Sequence, residues 1–226
     1  MDDGEVSLNN LAGRVMAAVQ QRGVDRRYVV GITGPPAAGK STLSVALSNA
    51  INAVAPSTAE IAPMDGFHLT NEVLRAEGAT DRKGEPDTFD IEGFLTALKQ
   101  LRSTPVGEPV SWPAYERTLH DPVPGAITFT SHTVAIVEGN YLLLNEPGWG
   151  EVATHLDDVW YLDAGTAVIE PRLLDRHLAK GKSLEQARRK VTDSDLQNAR
   201  LIARTRDRAD LLLRADNSHY VISPSR

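Results

Sequence analysis

Gly34, Gly39, Lys40 and Ser41 stand at the spacing G-x-x-x-x-G-K-S, and Thr42 comes directly after. Each residue type in that pattern suits the holding of phosphate. Glycines let the backbone curl so that successive N–H groups, those of Ala37 and Ala38 among them, turn inward toward anionic oxygens. An ammonium at Lys40 reaches the β- and γ-phosphates of a nucleotide, and a hydroxyl at Ser41 can ligate Mg²⁺. Gly34, Ala37, Ala38, Gly39, Lys40, Ser41 and Thr42 therefore form the expected nucleotide site, with ATP and Mg²⁺ as the expected cofactors. Two carboxylates are placed to work beside it. Glu138 ends the apolar run Val134-Ala135-Ile136-Val137, where it suits a hard ion such as Mg²⁺ or caps the next turn. Asp65 closes Ile61-Ala62-Pro63-Met64, where it either takes a proton from an attacking hydroxyl or forms a turn with Gly66. His68 is a ligand contact or a packed side chain.

These groups need strand ends to hold them. Tyr28 to Ile32 is a short apolar run suited to a buried parallel strand, predicted over 27–33. Leu43, Ala46, Leu47, Ala50 and Ile51 recur at helical spacing over 40–53, so the loop opens a helix whose N-terminus faces the anion. A first helix is predicted over 6–22, a strand over 59–64, a loop over 76–88 and a helix over 90–102. Strands come next at 133–137 and 159–162, then helices at 167–180 and 184–204, and short strands near 210–213 and 219–222. Pro171 implies a late start or a kink in the first of those helices, and Ser183 to Gln186 is a capping box for the second. Alternation of this kind predicts an α/β fold, a doubly wound parallel sheet flanked by helices with ligands at the carboxyl ends of the strands. The strand ending at Asp65 lies one βαβ step past the loop and is expected beside the loop's own strand.

The chain has 226 residues, enough for one domain with a substantial core. Its net charge of −6 argues against a general nucleic-acid surface. Without cysteine, thiolate metal sites and a cysteine nucleophile are excluded. Met1 to Glu5 is acidic, with no basic or apolar leader pattern behind it, and no apolar stretch approaches the length of a membrane span. A cytoplasmic protein is expected, acting on a small molecule without nucleic acid or membrane, and a homodimer is compatible with it. Asn-Lys-x-Asp, with which GTPases read guanine, is absent. Glu138-Gly139-Asn140 stands where mechanical ATPases carry Asp-Glu. A kinase acting on a small acceptor leads, against a nucleotide-dependent switch without one.

Further segments carry a resemblance: Met64 to Leu69, Arg82 to Asp90, Pro113 to Arg117, Val137 to Leu143, and the helix end Arg172 to Lys182. With the phosphate loop, they make the chain similar to P-loop small-molecule kinases of the uridine kinase, phosphoribulokinase and bacterial pantothenate kinase superfamily. Within it, the chain looks nearest to the fructose transport system kinase type. The resemblance runs over about 28–214 and implies the P-loop NTPase fold and phosphotransfer from ATP to a hydroxyl of a sugar or nucleoside, with a pantothenate-like acceptor as the alternative. It implies Asp65 as catalytic base, and Tyr115 and His120 as acceptor contacts at the spacing of uridine kinases, with Glu116 in place of their aspartate. Arg82 offers a further donor to the acceptor. A small helical lid over about 170–190 would bring Arg172, Arg176 and Lys182 to the phosphates, Arg176 taking a catalytic role. The physical alternatives stay open beside this: Arg82 and Lys83 also suit a solvated charge cluster, Tyr115 also suits core packing, and Arg172, Arg176 and Lys182 suit either a solvated helix face or a lid over phosphates. Arg188, Arg189 and Lys190 read as surface.

Overall fold

Along the run from Tyr28 to Thr33 every residue is buried, so this strand must be covered on both faces. Tyr28, Val30 and Ile32 join one core and Val29 the other, as the two-residue period of a strand requires. The computed structural model describes residues 5–23, 25–216 and 219–222. Met1 to Gly4, on which the absence of a leader pattern mainly rests, lie outside the described residues. In chain order the elements are β1 (Glu5–Val6), α1 (Leu8–Arg22), β2 (Tyr28–Thr33), α2 (Lys40–Val54), β3 (Ala59–Pro63), α3 (Asn71–Ala76) and α4 (Ile91–Ser103). Next come β4 (Val110–Glu116), β5 (Asp121–Phe129), β6 (Val134–Glu138), β7 (Asp158–Asp163), α5 (Thr166–Ala179), α6 (Leu184–Lys190), α7 (Leu196–Ala203), β8 (Leu211–Asp216) and β9 (His219–Ile222).

Among the described residues the main sheet has the order β1-β9-β8-β7-β2-β6-β3. The five strands from β8 to β3 pair in parallel, while β9 and β1 add an antiparallel edge. The expected α/β sheet is present, with that edge as the departure from a wholly parallel one. β3 does not lie beside β2: β6 runs between them and pairs with both. The crossover through α2 skips one position, and the later strand that carries Glu138 fills the slot. Leu43, Leu47 and Ile51 of α2 pack with Leu11, Val15 and Val19 of α1 on one face. Phe94, Leu98 and Leu101 of α4 pack on the other with Trp112, Phe129 and the segment from Tyr141 to Leu156.

Several elements differ from the sequence expectation. The hairpin β4–β5 has no counterpart in it, since Pro113, Pro122, Pro124 and Gly125 break any strand pattern. Ser7 caps α1, so that helix starts at Leu8 and Glu5–Val6 is free to pair with β9. Thr70 caps the short α3 ahead of the loop expected from 76. α5 starts at Thr166 with Pro171 inside it, so the proline does not delay the start. The predicted helix over 184–204 is interrupted by a π-helical turn, Val191–Asp195, between α6 and α7.

Arg27, fully buried ahead of β2, donates to the carbonyls of Thr104 (2.9 Å), Glu108 (3.0 Å) and Thr130 (2.9 Å). It thereby joins the end of α4 and both ends of the hairpin to the central strand. Loss of solvent pushes its guanidinium pKa down. Arg27→Met leaves three carbonyls without their donor and is expected to cost about 2–4 kcal/mol of stability. Denaturant unfolding checks this, and a loss within about 0.5 kcal/mol would mean that the three bonds carry no net stability.

Candidate active site

The phosphate loop joins β2 to α2. At Gly34 (φ 144°) a Cβ would collide with the Leu162 carbonyl oxygen of β7, so only glycine lets the loop leave the sheet here. Ala37 takes a left-handed backbone (φ 62°) and Gly39 caps α2, the kind of turn that directs consecutive N–H groups into one concavity. Lys40, 6% exposed, folds back to donate to the Pro35 carbonyl at 2.9 Å. Burial pushes its amine below the usual lysine range, Glu138 and Asp65 oppose that, and Arg176 adds to it. Ser41 donates to Glu138 Oε2 at 3.2 Å. Burial raises the Glu138 pKa, and Asp65 adds to the rise while Lys40 and the Ser41 hydrogen bond lower it.

Asp65 sits on a single helical turn, Met64–Phe67, at the end of β3. Gly66 makes its position possible, because a Cβ there would fall on the Pro113 carbonyl of β4. That contact brings the turn against the hairpin, where Trp112 donates to the Pro63 carbonyl at 3.0 Å and stacks edge-on against Phe67. Nδ1 of His68 donates to the Asp65 carbonyl at 2.8 Å, and its ring lies 4.1 Å from that of Phe89. Burial lowers the His68 pKa, and the Asp65 charge and carbonyl oppose that.

Two cavities meet over these groups. One of about 530 Å³ is lined by Pro36 to Thr42 with Arg172, Arg176 and Asn140. A smaller one, about 220 Å³, is lined by Ser44, Val45, Ile61, Pro63, Ala114 and Tyr115. Ser41, Asp65, Arg117 and Glu138 line both. Ala37, Ala38, Gly39, Lys40, Ser41, Thr42, Asp65, Tyr115, Glu138, Arg172 and Arg176 are thus brought together. Arg172 reaches the Ala37 carbonyl at 3.2 Å from α5.

Arg82, His68 and His120 line neither cavity. Arg82 pairs with Asp87 and lies 4.0 Å from Glu85. His120 (φ 55°) contributes its carbonyl, which accepts from the Tyr115 hydroxyl (2.8 Å), Lys83 (2.7 Å) and Asn71 (3.0 Å). The Tyr115 hydroxyl is therefore already engaged, and Lys83 stands over its ring at 5.1 Å. Lys190, expected at the surface, is half-buried there and donates to the Asp81 carbonyl at 2.7 Å and to Ser194 at 3.1 Å, tying α6 to the 80s loop. Asp195, to which no sequence pattern gives a role, is buried on the π-helical turn, 2.6 Å from His177 Nε2 and 3.9 Å from Arg176. No sequence pattern singles out Arg117 either, although it closes the segment Pro113 to Arg117; only the hairpin brings it to the cleft.

The profile of the phosphoribulokinase / uridine kinase family matches residues 29–219. The chain belongs to that family. It is 34% identical over 200 residues to the uncharacterized protein YggC of Escherichia coli K12, covering 88% of this chain and 82% of that one. A Schizosaccharomyces pombe protein provisionally designated a uridine kinase is 31% identical, with 83% of each covered. A crystal structure from Silicibacter sp. TM1040, provisionally designated a fructose transport system kinase, superposes with a TM-score of 0.82 at 38% identity, over 92% of this chain and 98% of that one. The family is one of P-loop kinases, which use ATP. The loop fits a nucleotide by its concavity and buried lysine. Among the described residues no cluster of three or more metal-ligating side chains occurs. Ser41 with Glu138 suits an ion such as Mg²⁺, which takes few protein ligands and keeps water and phosphate oxygens.

A polyphosphate in the loop favours the charged form of Lys40 and opposes the lowering that burial causes. In the alkaline range, approaching the ordinary lysine pKa of about 10.4, nucleotide binding is therefore expected to take up a proton. Calorimetry in buffers of different ionisation enthalpy measures this. Lys40→Arg, whose guanidinium stays charged, abolishes the uptake; uptake that persists in this variant assigns the proton elsewhere.

Proposed function

We propose that the protein transfers the γ-phosphate of ATP to a hydroxyl of a small metabolite of sugar or nucleoside type, with Mg²⁺ as the metal. The observation that carries this reading is the meeting of two cavities at Ser41, Asp65, Arg117 and Glu138. A switch that only hydrolyses nucleotide has no need of a second, walled space beside its phosphate loop. The smaller cavity, about 220 Å³, lies below the roughly 300–1,000 Å³ typical of drug-sized ligands, which favours a compact acceptor.

Each residue has its share of the work. Backbone N–H groups from Ala37 to Ser41 and the Lys40 ammonium hold the phosphates, and Ser41 with Glu138 holds the metal. ATP would supply the transferable phosphoryl group, and Mg²⁺ held by Ser41 and Glu138 would offset phosphate charge. Asp65 takes the proton of the acceptor hydroxyl as its oxygen bonds to the γ-phosphorus and the bridging bond to ADP breaks. Arg172 and Arg176 on α5 face the phosphates, and we assign the arm of α5 and α6, with Lys182, as a lid over them.

Asp65→Asn preserves shape and removes the proton acceptor. Turnover should fall about 10²-fold, at the low end of the general-base range because a loose phosphoryl transition state needs little base assistance, while ATP affinity holds. Lys40→Ala should lower turnover by about 10²-fold or more. Ser41→Ala and Glu138→Gln should raise the Mg²⁺ concentration needed for half-maximal rate. ADP release measured across sugars, nucleosides, sugar acids and pantothenate tests the reading as a whole. Flat turnover over the panel would favour the switch.

A further inference from the structure

Arg117 stands one residue past β4 and faces both cavities. Among the described residues its guanidinium has no ion pair and no side-chain hydrogen bond. The cations that face the nucleotide side have partners: Lys40 bonds to Pro35, Arg172 to Ala37, and Arg176 approaches Asp195. Lys83, near the tip of the hairpin, is held by Asn71, Asp121 and the His120 carbonyl. Lys180, at the end of α5, makes no ion pair among the described residues either. It lies in the field of Arg117 and of His68, and its pKa is lowered first by lost solvent and then by Arg176, Arg117 and Lys182. Arg117 thus faces the space that the two cavities share without a partner, and Lys180, which lines neither cavity, stands within its field.

Such an arrangement costs free energy until an anion arrives. The polyphosphate already has the loop N–H groups, Lys40, Arg172 and Arg176. The carboxylates nearby make no ion pair with Arg117: Glu138, whose charged form Arg117 favours from a distance, accepts from Ser41, and Asp65 must stay open to a hydroxyl. The wall formed by Val45, Ile61, Pro63 and Ala114 is apolar, so the acidic group of a bound molecule would face the Arg117 rim rather than the floor.

We propose that the acceptor is an anionic hydroxy compound of sugar size, whose carboxylate or phosphate is held by Arg117 with Lys180 alongside while its hydroxyl faces Asp65. This rests on the kinase reading and narrows its acceptor. Guanidinium geometry matches either anion through two parallel N–H···O bonds. A carboxylate or phosphate on any compact, hydroxyl-bearing carbon skeleton meets the requirement.

The test uses matched pairs with saturating Mg²⁺–ATP: glycerate against glycerol, gluconate against glucitol, fructose 6-phosphate against fructose, and pantothenate against pantothenol. In the pair that contains the best acceptor, the charged member should have a kcat/KM about 10- to 100-fold higher, the size of a charged hydrogen bond. The carboxylate and phosphate arms separate the two sources of charge. Arg117→Met should raise KM for that acceptor about 10- to 100-fold and leave KM for ATP within about twofold. Arg117→Lys should recover part of the loss. Thermal unfolding of both variants should match the parent, because Arg117 has no side-chain partner to lose. A neutral acceptor used as well as its acid overturns the proposal and leaves the kinase reading standing. So does an Arg117→Met variant whose only change is in KM for ATP. If no compound, charged or neutral, raises ADP release above the basal rate, both fall together.

Discussion

In-register parallel pairing of β2, β6 and β3 sets Ile32, Glu138 and Pro63 level at one edge of the sheet. The phosphate loop starts two residues past Ile32, Glu138 ends its own strand, and Asp65 stands two residues past Pro63. A parallel sheet has all its carboxyl ends on one side, so loops distant in sequence open into the same cleft. With β6 between the other two, Glu138 stands between the phosphate loop and Asp65. A slip of one residue in β6 would turn Glu138 to the opposite face and separate it from Ser41.

That alignment gathers charge of both signs in little water, and the shifts at Lys40 and Glu138 are its consequence. Burial disfavours the ammonium of one and the carboxylate of the other, while each stabilises the charged form of its neighbour. Two bonds hold the cleft: a lysine folded onto its own loop carbonyl and a serine on a carboxylate. Both are bonds that an incoming phosphate and metal can replace with stronger charged ones.

The arm of α5, α6 and α7 has its own small core of Ile169, Leu173, Val191, Leu196 and Ala199. Its interior bond is polar: His177 on α5 meets Asp195 on the π-helical turn, and the same carboxylate approaches Arg176. One extra residue in a helical turn rotates the residues after it, which is how Asp195 comes to face α5 instead of continuing the α6 pattern. The arm is fastened to the body through Lys190 and Ser194, which contact Asp81 and Glu85.

Local chemistry made the strand–loop–helix at Gly34 to Ser41 legible in sequence, because spacing, glycine and helical periodicity all lie within a short stretch of chain. The strand-end carboxylates Asp65 and Glu138 were legible for the same reason, each closing an apolar run. The order of the strands was not. Which strand fills the gap beside β2 depends on crossovers that no local pattern encodes, so β3 was expected where β6 lies. The proline-broken hairpin was hidden as well, since its pairing of Val110 with Phe129 and Glu116 with Asp121 satisfies groups far apart in sequence. Arg82 and His120 belonged to motifs, yet folding turned Arg82 to Asp87 and engaged the His120 carbonyl with Tyr115, Lys83 and Asn71. Arg117 closed the segment Pro113 to Arg117 with no role of its own assigned. Residue types and short spacings determined that phosphate binds and where the carboxylates stand; long-range packing, through the contact of Gly66 with Pro113, decided what faces them.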